Sequence, residues 1–263
     1  MLVKLLENKS VVVTGGSRGI GRAIAVEAAR HGADVALNYY RDNDAGYGRK
    51  SAVDSVVDEI EALGRRVVVL EGDVADPATG AQLVAAAVQA FGKIDVLAAN
   101  AGICPFHAFL DIPLETLRRT MEVNLHGAFY VTQAVARQMK EQGHGGAIVA
   151  TSSISALVGG GMQAHYTPTK AGLHSLMQSC AIALGPYGIR CNSVLPGTIA
   201  TDLNADDLSS PEKLAYMKGR IPLGRLGQPV DIANVVVFLA SEMAAYVNGA
   251  ALLVDGGLFV NLQ

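Results

Sequence analysis

Short runs of apolar residues recur along the chain at roughly 25- to 30-residue intervals, and longer segments between them return an apolar side chain every three or four positions. The short runs predict strands over 10–14, 34–39, 66–74, 93–98, 147–152, 189–195 and 250–255. The longer ones predict helices over 22–31, 51–63, 77–91, 114–141, 171–184 and 230–241. Strands without an alternating polar face belong to a sheet covered on both sides, and their alternation with helices implies parallel pairing through right-handed crossovers. The expected fold is α/β, a doubly wound parallel sheet of seven strands. Nothing marks a boundary, so residues 1–263 form one domain. The segment 202–225 is polar, charged and punctuated by Pro211, Pro222 and Gly224, which suggests an inserted lid or substrate loop. Residues 41–50 are polar and read as a loop.

Composition removes several classes of function. A net charge of −3 with no basic run argues against a nucleic-acid surface. No stretch of about 20 uncharged apolar residues is present, so no membrane span is expected. Cys104, Cys180 and Cys191 are scattered without metal-ligand spacing, as reduced thiols of a cytoplasmic protein would be, and no metal site is expected.

The first strand runs into Thr14-Gly-Gly-Ser-Arg-Gly-Ile-Gly21 and then into a helix. Glycines in a strand-to-helix turn let backbone approach a pyrophosphate that the helix N-terminus attracts, although Gly15, Gly19 and Gly21 are spaced more widely than G-x-G-x-x-G. At the end of the second strand, where an acid would bind an adenosine ribose, stand Asn38, Tyr39, Tyr40 and then Arg41. Without that acid a 2′-phosphate is not repelled, and Arg18 and Arg41 are placed to pair with it. NADP is therefore expected to be accepted alongside NAD, the alternative for Arg41 being a solvated surface position. Asp73 and Val74 end the third strand, either flanking an adenine or, for Asp73, capping the helix over 77–91.

The stretch from Ser153 to Lys170 carries the candidate chemistry. Tyr166 and Lys170 share a helical face, and an ammonium beside a phenol is expected to lower the phenol pKa. Pro168 is tolerated only if the helix begins close to Tyr166. Ser153, at a strand end, is placed to bond the same substrate oxygen.

Thr14-Gly-x-x-x-Gly-x-Gly21, Asn100-Ala-Gly102, Asn124, Ser153, Tyr166-x-x-x-Lys170 and Pro196-Gly197 together resemble the short-chain dehydrogenase/reductase family over almost the whole chain. One departure is Ala99, where the family has a further asparagine before Asn100. The resemblance implies a Rossmann-type sheet and a nicotinamide cofactor, NAD or NADP. It implies Tyr166 as the proton acceptor in oxidation and Lys170 as its activator and the holder of the nicotinamide ribose. Ser153 would steady the substrate oxygen, and Asn124 a water linked to Lys170. Positions matching the family's cofactor contacts are Gly15, Ser17, Arg18, Gly19, Ile20, Asp73, Val74, Asn100, Gly102, Ile199 and Thr201, with Tyr166 and Lys170.

The runs Asn100-Ala-Gly-Ile-Cys-Pro-Phe-His107, Ser152-Ser-Ile-Ser-Ala-Leu-Val-Gly-Gly160 and Leu253-Val-Asp-Gly-Gly-Leu-Phe-Val260 resemble the branch of bacterial sugar dehydrogenases that oxidise the anomeric hydroxyl of L-rhamnose to its lactone. Ser153, Ser155, Gln163, Tyr166, Thr198 and Asn204 would bind the sugar, with Phe106 and His107 as a wall. The alternative for His107 and His165 is a structural or solvated position, and neither is required as an acid or base. The alternatives are a 3-oxoacyl thioester or ketone reductase with the same catalytic set, and a cofactor-sensing regulator without turnover. By the same resemblance the long helices and the apolar tail from Leu252 to Leu262 would build a homotetramer.

Overall fold

The computed structural model describes residues 3–40, 52–204 and 209–261. Seven strands, β1 (Ser10–Val13), β2 (Asp34–Tyr39), β3 (Val67–Glu71), β4 (Val96–Ala99), β5 (Gly146–Thr151), β6 (Ile189–Pro196) and β7 (Ala251–Val254), form one sheet in the order β3-β2-β1-β4-β5-β6-β7. Every pairing is parallel. The order reverses between β1 and β4, and this switch point opens a crevice at the carboxyl ends of the strands.

The period of two along each strand sorts the core into two layers. Val11, Val13, Val35, Leu37, Val96 and Ala98 face one side, against α1 (Gly19–Arg30), α2 (Ala52–Ala62) and α8 (Pro229–Ala240). Val12, Ala36, Leu97, Ala99, Ile148 and Ala150 face the other, against α3 (Pro77–Phe91), α5 (Ala128–Gln142) and α6 (Thr167–Leu184). Each fully buried Leu or Ile in these layers contributes about 1.5–3 kcal/mol relative to exposure. A small third cluster of Ile221, Leu226 and Leu258 ties the chain after α7 (Pro211–Arg220) to the C-terminal segment.

Several boundaries differ from the sequence expectation. The first helix starts at Gly19 rather than 22, because the glycine turn itself supplies its first residues. The helix expected over 171–184 begins at Thr167, with Tyr166 as its N-cap and Pro168 in the first turn, where its missing N–H costs nothing. The stretch 114–141 is α4 (Leu114–Met121), a π-helical turn over Glu122–Gly127 and then α5. Asp73 does not cap α3. Asp76 does, its Oδ1 accepting from the amide of Ala78 at 2.9 Å, because it immediately precedes Pro77 whereas Asp73 lies four residues upstream. Within 202–225 stand a short 3-10 turn at Asp202–Asn204 and α7, capped by Ser210. Arg41 and most of the loop around it lie outside the described residues. No described helix is long and apolar enough to cross a membrane.

Candidate active site

The glycine turn leaves β1 at the switch point. Gly15 and Gly19 hold φ of 63° and 53°, the left-handed region that glycine enters without penalty. The Thr14 hydroxyl accepts from the amides of Asn100 (2.9 Å) and Ala101 (3.0 Å). Asn100 Nδ2 returns donation to the carbonyls of Thr14 (3.1 Å) and Gly15 (3.3 Å). A Cβ on Gly21 would overlap the Gly15 carbonyl oxygen, so this position admits only glycine. Ala99, the family's missing asparagine, is buried in the α3–α6 layer and leaves these bonds intact. Arg18 is the N-cap of α1 and makes no side-chain cap bond to the first-turn amides, with Ser17 buried and Ile20 half-buried beside it. This cradle fits a dinucleotide pyrophosphate.

At the adenosine end, Asn38 is buried and donates from Nδ2 to the carbonyl of Gly72 at 2.7 Å. Asp73 accepts from the amide of Ala75 (3.0 Å) and pairs with Arg119 (2.7 Å). Val74 is buried, and its side chain fills the space that a Cβ on Gly127 would need, so the π-helical turn packs directly on it.

That turn places Asn124. Its Oδ1 accepts from the amide of Ile103 at 2.8 Å, while Nδ2 donates to the carbonyl of Ile103 (2.9 Å) and the hydroxyl of Thr169 (3.2 Å). A regular α-helix would rotate this side chain away, and π turns recur at functional sites for that reason. A Cβ on Gly102 would stand 3.3 Å from Asn124 Oδ1 and 3.4 Å from Lys170 Nζ, so the glycine keeps the approach to the lysine open.

Ser153, Tyr166 and Lys170 converge at the end of β5. Ser153 Oγ accepts from the amide of Ser155 at 3.0 Å and lies close enough to the Tyr166 phenol to favour its ionised form. Lys170, 3 % exposed, donates from Nζ to the carbonyl of Thr151 at 2.8 Å and lies 5.5 Å from the Tyr166 ring centroid. Burial brings Lys170 down to about 8, partly offset by the nearby Cys104 thiol. The expectation of a lowered phenol pKa is corrected. Burial raises Tyr166 well above its ordinary value, the Cys104 thiol adds to the rise, and the Ser153 hydroxyl only partly opposes it. The ammonium is aimed at a carbonyl oxygen and sits over the ring, so in this arrangement desolvation outweighs its attraction for a phenolate.

The wall beyond Tyr166 is made by two loops joined edge to edge. His107 donates its amide to the Met162 carbonyl at 3.1 Å, and Gln163 donates from Nε2 to Cys104 Sγ at 3.3 Å. The rings of His107 and His165 meet edge-on with centroids 6.0 Å apart. Phe106 is partly exposed on the same loop.

Across the crevice, the loop of Thr198, Ile199 and Thr201 is stitched to Gly227, which donates to the Thr198 carbonyl (3.0 Å) and accepts from Ala200 (2.9 Å). The side-chain amide of Asn204 is spent on this loop. It accepts from Thr201 N at 3.2 Å and donates to the Ile199 carbonyl at 2.9 Å, an arrangement that holds the loop rather than reaching outward. Among the described residues no cluster of three or more His, Cys, Asp or Glu is placed to hold a metal ion. Two residues of the site are not evident from sequence. Cys104 reads there as a core thiol, although it lies within the run that carries the sugar-dehydrogenase resemblance, and Arg119 leaves no signal in local pattern.

A parallel sheet with a glycine turn at its switch point and a Ser-Tyr-Lys set at the end of β5 defines a nucleotide-dependent oxidoreductase. Residues 15–259 match a family model described as enoyl-(acyl carrier protein) reductase. The chain is 64% identical over 261 residues to L-rhamnose 1-dehydrogenase (NAD(P)(+)) of Sphingomonas sp. (strain SKA58), covering 99% of this chain and 100% of that relative. It is 63% identical over 259 residues to the protein of the same name from Azotobacter vinelandii, covering 98% and 100%. A 3-oxoacyl-(acyl-carrier-protein) reductase of Staphylococcus aureus (strain Mu50) stands further off at 39% over 252 residues, covering 96% and 98%. Among solved structures, a short-chain type dehydrogenase/reductase from Mycobacterium marinum superposes with a TM-score of 0.88 at 35% identity, covering 97% of each chain. The protein belongs to the short-chain dehydrogenase/reductase family.

Proposed function

We propose that the protein oxidises the anomeric hydroxyl of L-rhamnose to L-rhamnonolactone with NAD or NADP. The observation that carries this is the convergence of Ser153, Tyr166 and Lys170 behind a hydrogen-bonding wall, in a chain 64% identical to an enzyme named for that reaction. The thioester-reductase reading has the weaker support, since the relative named for that chemistry is 39% identical.

NAD or NADP, when bound, would supply the hydride acceptor for C1 and, in its oxidised form, a positive charge at the nicotinamide end of the site. Gly15, Ser17, Arg18, Gly19 and Ile20 would hold its pyrophosphate, Asp73 and Val74 its adenine. Asn100, Gly102, Ile199, Thr201 and Lys170 would line the nicotinamide end. Tyr166 takes the proton of the C1 hydroxyl onto its phenol oxygen. Burial favours its protonated form when judged by the chain's own groups, and the positive charge of a bound oxidised nicotinamide would favour the phenolate. Ser153 donates to the substrate oxygen and holds it near the phenol. The ammonium of Lys170 carries charge at neutral pH, and Asn124 would support a water that links it to solvent, the final acceptor of the proton taken by Tyr166. Ser155, Gln163 and Thr198 read the ring hydroxyls, while Asn204 shapes the loop that presents Thr198.

The segment 202–225 acts as a lid over this crevice. The protein works in the cytoplasm as a homotetramer; exposed apolar side chains at Leu252 and Val260 support the involvement of the C-terminal tail in assembly. Initial rates of cofactor reduction with L-rhamnose, L-fucose, L-mannose and D-glucose, and of cofactor oxidation with acetoacetyl thioester, test the assignment. Fast oxidation of L-rhamnose is expected, and turnover confined to the thioester would overturn it.

A further inference from the structure

At the far end of the crevice from Tyr166, three side chains from separate elements are tied together. Tyr40 follows β2, Asp73 follows β3, and these strands are neighbours, with Tyr39 opposite Glu71 and the Gly72 amide bonded to the Tyr39 carbonyl at 2.9 Å. Arg119, on α4, reaches across both. Its Nη1 lies 2.7 Å from Asp73 Oδ2, and its guanidinium carbon lies 5.8 Å from the Tyr40 ring centroid. Ion pair and ring contact fix the guanidinium in one place, about two-thirds withdrawn from solvent.

We infer that Arg119 is a specificity-determining residue for the cofactor: by cancelling the charge of Asp73 it permits a 2′-phosphate at the adenosine end. The β2 end carries the neutral Asn38 where an acid would select against that phosphate, yet Asp73 places a carboxylate one strand away. Left uncompensated, this carboxylate would repel NADP and leave NAD little affected, because the two differ only in the phosphate. Arg119 converts the acid into a neutral pair, and Asp73 keeps its turn bond to Ala75. Arg119 acts through Asp73, so its removal is felt as a change in selectivity and not merely in affinity. The inference rests on the NAD(P) reading of the site.

Calorimetric dissociation constants for NADP and NAD, taken without sugar, provide the test. Arg119→Met is expected to weaken NADP about three- to tenfold more than NAD, the effect of one half-buried charge near the phosphate through partly screened surroundings. Arg119→Lys should keep the wild-type ratio. The double variant Arg119→Met with Asp73→Asn should restore it, since the charge to be cancelled is gone. Asp73→Asn alone, which leaves the guanidinium unbalanced, should move the ratio toward NADP and serves if Arg119→Met does not fold. Equal weakening of both cofactors in Arg119→Met would make Arg119 a merely shaping residue and overturn the inference, as would an unrestored ratio in the double variant or no shift in Asp73→Asn. A wild-type chain binding neither dinucleotide would instead remove the cofactor reading beneath it.

Discussion

The Lys170 ammonium donates at 2.8 Å to the Thr151 carbonyl while lying 5.5 Å from the centre of the Tyr166 phenol ring. Both groups are withdrawn from water, and burial moves each toward its neutral form. Tyr166→Phe removes the proton acceptor and almost no volume. Turnover is expected to fall by about 10³-fold or more, within the range for loss of a positioned acid-base group. Cofactor binding by calorimetry should stay at the wild-type value, and a variant with near-normal turnover would sink the mechanism.

The same pair contributes to how stability depends on pH. Between pH 8 and about 10.5 an unfolded Lys170 holds a proton that the folded one has lost, so stability rises with pH across that window. Above about pH 10 an unfolded Tyr166 ionises before the folded one, and stability falls again. Burial also holds the thiols of Cys104, Cys180 and Cys191 protonated, and these lower stability over the same range, so the Lys170 share is read by difference. Lys170→Met should stabilise the cofactor-free protein at pH 7 by about 2–3 kcal/mol, and its advantage over the wild type in thermal melting should shrink between pH 8 and 10, while turnover is abolished. An advantage that does not change with pH would show that Lys170 does not titrate in that window.

Asn124 is bonded to both backbone groups of Ile103 and to Thr169 inside a fully buried pocket. Asn124→Leu leaves the amide and carbonyl of Ile103 without partners, at about 1–3 kcal/mol for each buried group. Urea unfolding should show a loss of about 2–5 kcal/mol. The loop carrying Gly102 and Cys104 should loosen, seen as faster alkylation of Cys104, whose thiol is otherwise kept protonated by burial.

Gln163 is held by Cys104 Sγ, and a Cβ on Gly160 would press on its side-chain oxygen. Cys104→Ala frees the amide and is expected to raise KM for the sugar several-fold, with kcat changed less than twofold, roughly the scale of one neutral hydrogen bond. Cys104→Ser, which can still accept from Gln163, should restore much of the loss. Steady-state kinetics on the three proteins decides this, and a fall in kcat alone would place Cys104 in the chemistry instead.

Much of the architecture is legible from pattern because it follows from local physics. Val11 to Val13 cannot be a one-sided strand, and Pro168 forces α6 to begin near Tyr166. The catalytic set is legible as a joint motif in order along the chain. What escapes is decided by packing across elements. The π turn at Asn124 is invisible to periodicity, since one extra residue in a turn leaves the apolar pattern nearly unchanged. Asp73 and Asp76 are equivalent in sequence terms, and only the start of α3 separates capping residue from ion-pair partner. Spacing gives the proximity of Tyr166 to Lys170 but neither where the ammonium points nor how dry the site is, so it predicts the wrong direction for the phenol pKa. Asn204 looks in sequence like a polar side chain near substrate, yet both ends of its amide are engaged by its own loop.

Thr14 closes its hydroxyl onto the amides of Asn100 and Ala101, and β1 pairs with β4 across the intervening β2 and β3 units. During synthesis the glycine turn therefore emerges long before the residues that brace it. A nascent chain carrying only the first three strands has an unfinished nucleotide cradle and an open sheet edge on β1. Such an edge invites pairing with other chains. Translation through β4 is thus the step at which β1 is covered and the glycine turn is braced, while the open edge passes to β4 until β5 follows.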